Sequence, residues 1–78
     1  MEIKPDQVVD FSGLSCPMPI LKTKAAIDKM EAGQILQMTA TDPGSKPDMD
    51  AWTERTGNEL LKYEQQGDKH IFYIKKKA

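Results

Sequence analysis

The sequence carries a single cysteine, Cys16, set in the run Cys16-Pro17-Met18-Pro19. One cysteine forms no internal disulfide and no multi-cysteine metal site. Any chemistry it performs it performs alone, as a thiolate that attacks, accepts or hands on a group. Pro17 has no N–H and a fixed φ that suits the first helical position, so a helix is predicted to start just after the sulfur. The unpaired N–H groups and the positive dipole end of that helix would stabilise a thiolate, persulfide or other anion at Cys16. A lone thiol is more commonly a small buried hydrophobe. Three features oppose that role here: the adjoining proline, the small-residue loop Ser12-Gly13-Leu14-Ser15 before it, and the lack of an apolar strand around it.

Few other residues offer reactive chemistry. Asp10 ends an apolar run and is predicted to cap the Gly13 loop through hydrogen bonds to its backbone N–H groups. A role as base for the thiol is disfavoured, because a nearby negative charge opposes thiolate formation. His70, the only histidine, follows a turn and reads as a strand-surface residue. A Cys–His nucleophilic pair would need the two adjacent, and nothing in the sequence brings them together. One Cys and one His make no zinc site. No phosphate-binding glycine loop of the standard spacings occurs.

The elements that must position these residues are short and closely spaced. Gln7 to Phe11 reads as a strand. A first helix is predicted from about Pro17 to Met30, ending at Ala32-Gly33 with Gly33 as its C-terminal cap. Its core stripe is Ile20, Thr23, Ile27 and Met30, flanked by Ala26. Met18 and Leu21 lie off that stripe. They either tuck against the sheet edge, remain as scattered exposed apolar residues, or form an apolar collar near the sulfur that docks a partner. Lys22 and Lys24 lie on the same helix; such lysines most often form a solvated face, and near a cysteine they could steer anionic sulfur species or an acidic partner.

Gln34 to Thr41 reads as a second strand, with Leu36, Met38 and Ala40 turned to the core. Ser45 and Asp48 have capping-box spacing, which starts a second helix at Ser45 or just after. That helix carries Met49, Trp52 and Thr56 and stops at Gly57-Asn58. Glu59 to Gln65 and His70 to Lys75 form the last two strands, joined by a Gly67-Asp68 hairpin turn. The order β-α-β-α-β-β predicts an α/β two-layer sandwich, a four-stranded mixed sheet with both helices on one face. The first β-α-β unit is parallel, so the Cys16 loop and the Lys46/Asp48 region share the carboxyl edge of the sheet, where ligands gather in open sheets.

Size and charge narrow the function. Seventy-eight residues are read as one domain, 1–78, with a thin core that buries only roughly 60% of the unfolded surface. A large cofactor has little room, so none is expected, and chemistry is better placed on the surface and completed by a partner. The net charge of −1 is an ordinary balance and argues against nucleic acid as a direct ligand. No apolar run approaches the ~20 residues of a membrane span, and the first residues lack an apolar signal core. A reducing, cytoplasmic location is expected. The basic tail Lys75-Lys76-Lys77 reads as a solvated end that protects the last strand from edge pairing.

These residues resemble the TusA/SirA-like sulfur-carrier family. Asp10, Gly13-Leu14 and Cys16-Pro17-Met18-Pro19, followed by Leu21 and Lys24, match its N-terminal signature. Asp42-Pro43-Gly44-Ser45, Asp48, Trp52 and Gly57-Asn58-Glu59-Leu60-Leu61 match its second. The resemblance spans nearly the whole chain. It implies that Cys16 accepts sulfane sulfur from a cysteine desulfurase or rhodanese-type donor. It implies that the persulfide, or a thiosulfate adduct, passes to a DsrE-type or thiolation-pathway acceptor, as in tRNA thiolation, molybdenum-cofactor supply or sulfur oxidation. On the same basis Asp10, Gly13, Leu14, Pro17 and Pro19 support the site, and Met18, Leu21, Lys22, Lys46 and Asp48 face partners. Two positions depart from many bacterial members. Pro47 separates Lys46 from Asp48, and Asn58 stands where a histidine is common, which leaves donor and acceptor open. The competing reading is a non-enzymatic regulatory or interaction module in which the cysteine is incidental.

Overall fold

The alternation of β-branched and long apolar side chains with polar ones gives this chain a sheet with one sticky face, and two helices cover it. The computed structural model describes residues 4–14 and 18–77. Its elements run β1 (Gln7–Asp10), α1 (Met18–Asp28), β2 (Ile35–Ala40), α2 (Ser45–Thr56), β3 (Glu59–Gln66) and β4 (Lys69–Lys75). The sheet order is β1-β2-β4-β3. β1 and β2 are parallel, while β4 is antiparallel to both β2 and β3. This is the expected mixed sheet and α/β architecture.

The core follows the two periodicities. Leu36, Met38 and Ala40 of β2 and Phe72 and Ile74 of β4 are fully buried on one face. They meet across the strands as Leu36–Ile74 and Met38–Phe72. From the helices, Ile27, Met49 and Trp52 close over them, with Met30 just beyond α1. β1 and β3 flank this centre, and Val9, Leu60 and Tyr63 pack against it from the sides. A register shift between Leu60 and Lys62 leaves Leu61 exposed.

Four expectations are corrected. The fully buried stripe of α1 is Pro19, Thr23 and Ile27, continuing to Met30, with Ile20 only half-buried. Pro19 lies in the first turn, where a missing N–H costs nothing, so its apolar ring can go inward. α1 stops at Asp28, and the bonds Lys29 N–H to Ala26 O and Met30 N–H to Ile27 O tighten its end. Gly33 is therefore no helix cap. Gln34 N–H reaches Glu31 O at 3.1 Å, and Gly33 takes the third position of that turn with φ 87°. That left-handed conformation is the one glycine adopts without strain.

The third correction is the cap of α2, a helix that does start at Ser45 as expected. Ser45 caps nothing, because the N-cap position belongs to Gly44 and makes no side-chain cap bond. Asp42 does the work instead. Its Oδ1 accepts Gly44 N–H at 2.9 Å and its carbonyl accepts Ser45 N–H at 3.0 Å. Asp42-Pro43-Gly44-Ser45 is a type I turn feeding the helix, with Asp and Pro at their favoured positions. Fourth, Thr53 is buried where no core role was assigned. Its hydroxyl donates to Met49 O at 2.9 Å, which allows a polar side chain to be buried at that position.

Candidate functional site

The strand register gathers one end of every strand at the same edge. Asp10 pairs with Thr39, Ala40 with His70, and His70 with Gln65. Both helices begin at this edge, because each follows a strand that ends there. It is the carboxyl edge of the parallel pair.

The loop leaving β1 is tied down on both sides. Phe11 N–H donates to Thr39 O at 2.8 Å, which extends the pairing one residue past the strand. Asp10 Oδ1 accepts Ser12 N–H at 2.9 Å and the Ser12 hydroxyl as well. Leu14 N–H returns to Phe11 O at 3.2 Å, closing a turn in which Gly13 takes φ 85°. Gly13 N–H donates across the sheet to Thr41 Oγ1 at 2.9 Å. Asp10 thus caps its loop through Ser12, while Gly13 is held by Thr41, a residue the sequence did not single out.

Cys16, with Ser15 and Pro17, lies outside the described residues. The chain on either side is Leu14, half-buried at the end of the tied loop, and Met18, the first residue of α1. The first turn of α1 holds no acidic residue. No carboxylate there competes for the helix N-terminal field. Met18 is 39% exposed and Leu21 53%, so both present apolar surface to solvent. Lys22 is exposed beside them, whereas Lys24 pairs with Asp28 at 2.8 Å.

The second loop brings a different set to the edge. Lys46 forms an ion pair with Asp50, and its Nζ lies 5.1 Å from the centroid of the Tyr63 ring. Lys46 is thereby committed along α2 and toward β3. Asp48 occupies the first turn of α2, where its charge suits the helix dipole. Both loop carboxylates lean on Gly44: a Cβ there would meet Asp42 Oδ1 at 3.5 Å and Asp48 Oδ2 at 3.9 Å.

His70 is not a strand-surface residue. It is buried on the helix-covered face, and its Nδ1 shares a hydrogen bond with the Tyr63 hydroxyl at 2.5 Å. The two rings stack with centroids 5.9 Å apart. The run His70 to Ile74 hides its own parity in sequence, because apolar residues occupy both faces. The register resolves it, since Ala40, His70's partner across the sheet, is buried. Among the described residues no group of three or more His, Cys, Asp or Glu could hold a metal ion, and no helix is long and apolar enough to cross a membrane.

The Asp10 carboxyl is held below its ordinary value of 3.8, first by the Ser12 hydroxyl, then by the Ser12 N–H, with a smaller contribution from Lys69. Its folded pKa lies below the unfolded one. Its stabilising contribution is therefore full above the unfolded value and lost as pH falls through the folded one. Ser12→Ala is expected to move the Asp10 carboxyl titration, followed by NMR, back toward 3.8, with a loss of loop stability that is full at neutral pH and fades as pH falls through the folded pKa. An unchanged midpoint would remove the Ser12 hydroxyl as the cause.

The geometry is that of a tied loop delivering a helix N-terminus at a sheet edge, and the family model for sulfurtransferase TusA matches residues 7–76. The chain belongs to the TusA family. It is 51% identical over 71 residues to the sulfur carrier protein TusA of Allochromatium vinosum, covering 91% of this chain and 93% of that one. It is 31% identical over 77 residues to a Pseudomonas putida sulfur carrier protein TusA, covering 99% of this chain and 96% of the relative. The fold matches that of a SirA-like protein from Desulfitobacterium hafniense, with a TM-score of 0.77 at 22% identity, over 92% of this chain and 99% of the other. These relatives support a sulfur-carrier role.

Proposed function

We propose that Cys16 is the sulfur-bearing residue of a protein-to-protein relay. The observation that carries this reading is the pairing of a lone cysteine, two residues before α1, with membership of a family of sulfur carriers. The Cys16 thiolate attacks the outer sulfur of a donor persulfide. A new S–S bond forms on Cys16, the donor's S–S bond breaks, and the donor leaves as a thiolate. Discharge is the same exchange, run by the acceptor's thiolate. No net oxidation occurs, so no cofactor is needed.

Three features of this chain support that chemistry. The first turn of α1 carries no acidic residue, so no carboxylate there competes with an anion for the helix N-terminal field. Asp10 is engaged by Ser12. His70 is buried and its Nδ1 is engaged by the Tyr63 hydroxyl, so it does not stand exposed at the edge. Asp10, Gly13, Leu14, Pro17 and Pro19 hold the loop and helix start. Met18, Leu21, Lys22, Lys46 and Asp48 form the surface that partners read.

The donor is a cysteine desulfurase or rhodanese-type protein, and the acceptor a DsrE-type or thiolation-pathway protein, in the cytoplasm. A protein rather than a nucleic acid as direct partner is supported by the burial of Phe72 and the packing of Tyr63 on the helix side, which leaves Tyr73 as the lone aromatic among the described residues on the open face of the sheet. Thiosulfate carried as a cysteine adduct is the other cargo. It requires an oxidised donor, because joining a thiol to thiosulfate removes two electrons. The test is intact-mass analysis after incubation with a persulfidated rhodanese. The expected result is a gain of one sulfur atom, removed by reductant. Absence of any thiol-dependent adduct would end this reading.

A further inference from the structure

A groove of about 280 Å³ runs between α1 and β1, on the flank of the molecule next to the first loop. Its floor is Val9 of β1, Phe11 just after it, and Ala25 and Ala26 of α1, and Lys22 and Lys29 stand on its rim. The two alanines leave the groove open because neither has a side chain beyond Cβ. Among the described residues no acidic side chain lines it, and Lys22 and Lys29 take part in no ion pair. β1 has β2 as its only strand neighbour among the described residues, so its outer side is a sheet edge. An apolar trough under a basic rim, beside an edge strand, is the arrangement that accepts an added strand from another protein.

We propose that this groove docks an extended segment of a relay partner in which two carboxylates flank an apolar residue. Lys22 lies in α1 and Lys29 just past its end, seven positions on, a rise of about 10.5 Å at the helical spacing. On one face of an extended strand, residues i and i+4 are about 13 Å apart, with i+2 between them. Flexible lysine stems absorb the difference. The carboxylates would therefore meet the two ammonium groups while the middle side chain enters over Val9 and Ala25. Because Lys22 is one turn beyond Met18, a segment seated here leaves its parent protein beside the loop of Cys16. The assignment of the occupant as a relay partner rests on the sulfur-carrier reading; the groove's chemistry does not.

The probe is a synthetic peptide, acetyl-Gly-Glu-Thr-Val-Thr-Glu-Gly-amide, titrated into the isotope-labelled protein and followed by NMR. Saturable amide shifts are expected along Val8 to Phe11 and Lys22 to Lys29. Lys22→Glu/Lys29→Glu is expected to weaken binding by about tenfold or more, and the peptide with lysines in place of its glutamates should then bind the variant. Ala25→Leu, which fills the trough without changing charge, should also weaken binding. No shifts at millimolar peptide, shifts confined to the open sheet face, or an affinity indifferent to Ala25→Leu would each overturn the proposal. Loading of the unsubstituted protein from inorganic polysulfide reads the carrier chemistry alone, so a failure there is separate from a failure of the groove.

Discussion

Cys16→Ser is expected to abolish every donor-dependent adduct while the thermal midpoint changes little. The chain has no second thiol to take over. A serine hydroxyl keeps nearly the shape of the thiol, but it stays protonated at neutral pH and does not attack a sulfane sulfur. A free thiol with pKa about 8.5 is already a few per cent thiolate, and a helix N-terminus or nearby lysine raises that fraction. The loss is therefore complete rather than graded. Unfolding by circular dichroism supplies the control: a midpoint preserved within a few degrees with no adduct separates chemistry from folding. An adduct of undiminished yield on the serine variant would place the sulfur on another residue and sink the relay. Full biological function in Cys16→Ala would instead support a regulatory module whose cysteine is incidental.

Much of this arrangement was legible before any coordinates. The alternation of Leu36, Met38 and Ala40 specified the face of β2, and Gly67-Asp68 specified the hairpin. Those signals are local: a strand period of two and a two-residue turn need no knowledge of the rest of the chain. Where the sequence misled, two local signals competed and the stronger was not the obvious one. Ser45 and Asp48 have the spacing of a capping box, yet Asp42-Pro43 already builds a turn that delivers the helix, so Ser45 enters α2 with its hydroxyl buried. That hydroxyl and the Thr23 hydroxyl have no hydrogen-bond partner among the described residues. Gly33 looked like a helix cap because glycine serves turns and caps alike.

His70 and Thr41 were hidden for a different reason. Their roles come from cross-strand register, which no window along the chain contains. Thr41 reaches Gly13 over 28 residues of sequence. His70 reaches Tyr63 across the hairpin, and its burial follows from pairing with Ala40. The same register gives the edge its coherence. The Gly13 turn hangs on the residue after Ala40, Ala40 is paired to His70, and His70 is held by Tyr63, over whose ring Lys46 lies. Loop one and loop two are thus joined through the ends of β2, β4 and β3, not only through the helices above them.

That dependence makes the centre of the sheet the place where a single change should have the largest effect on stability. Phe72 is fully buried, opposite Met38 on one side and Tyr63 on the other, with its ring 5.1 Å from that of Tyr63. Phe→Ala in a packed core costs about 3–5 kcal/mol. A chain of 78 residues has roughly 4–12 kcal/mol of total stability at the usual yield per residue. Phe72→Ala is therefore expected to remove at least about a quarter of the stability and at most all of it, lowering the thermal midpoint by ~12 °C or more. Val8→Ala, on the open face and 60% exposed, should stay within about 0.5 kcal/mol of the unsubstituted protein. Urea titrations of both variants decide the matter. Equal costs would mean that the helix-covered face is not the core. If Phe72→Ala is as costly as expected, sulfur loading should fall with the folded fraction as temperature rises, because the tied loop is anchored to the strands that Phe72 holds together. Loading that outlasts the unfolding transition would show that the thiol needs no such anchorage.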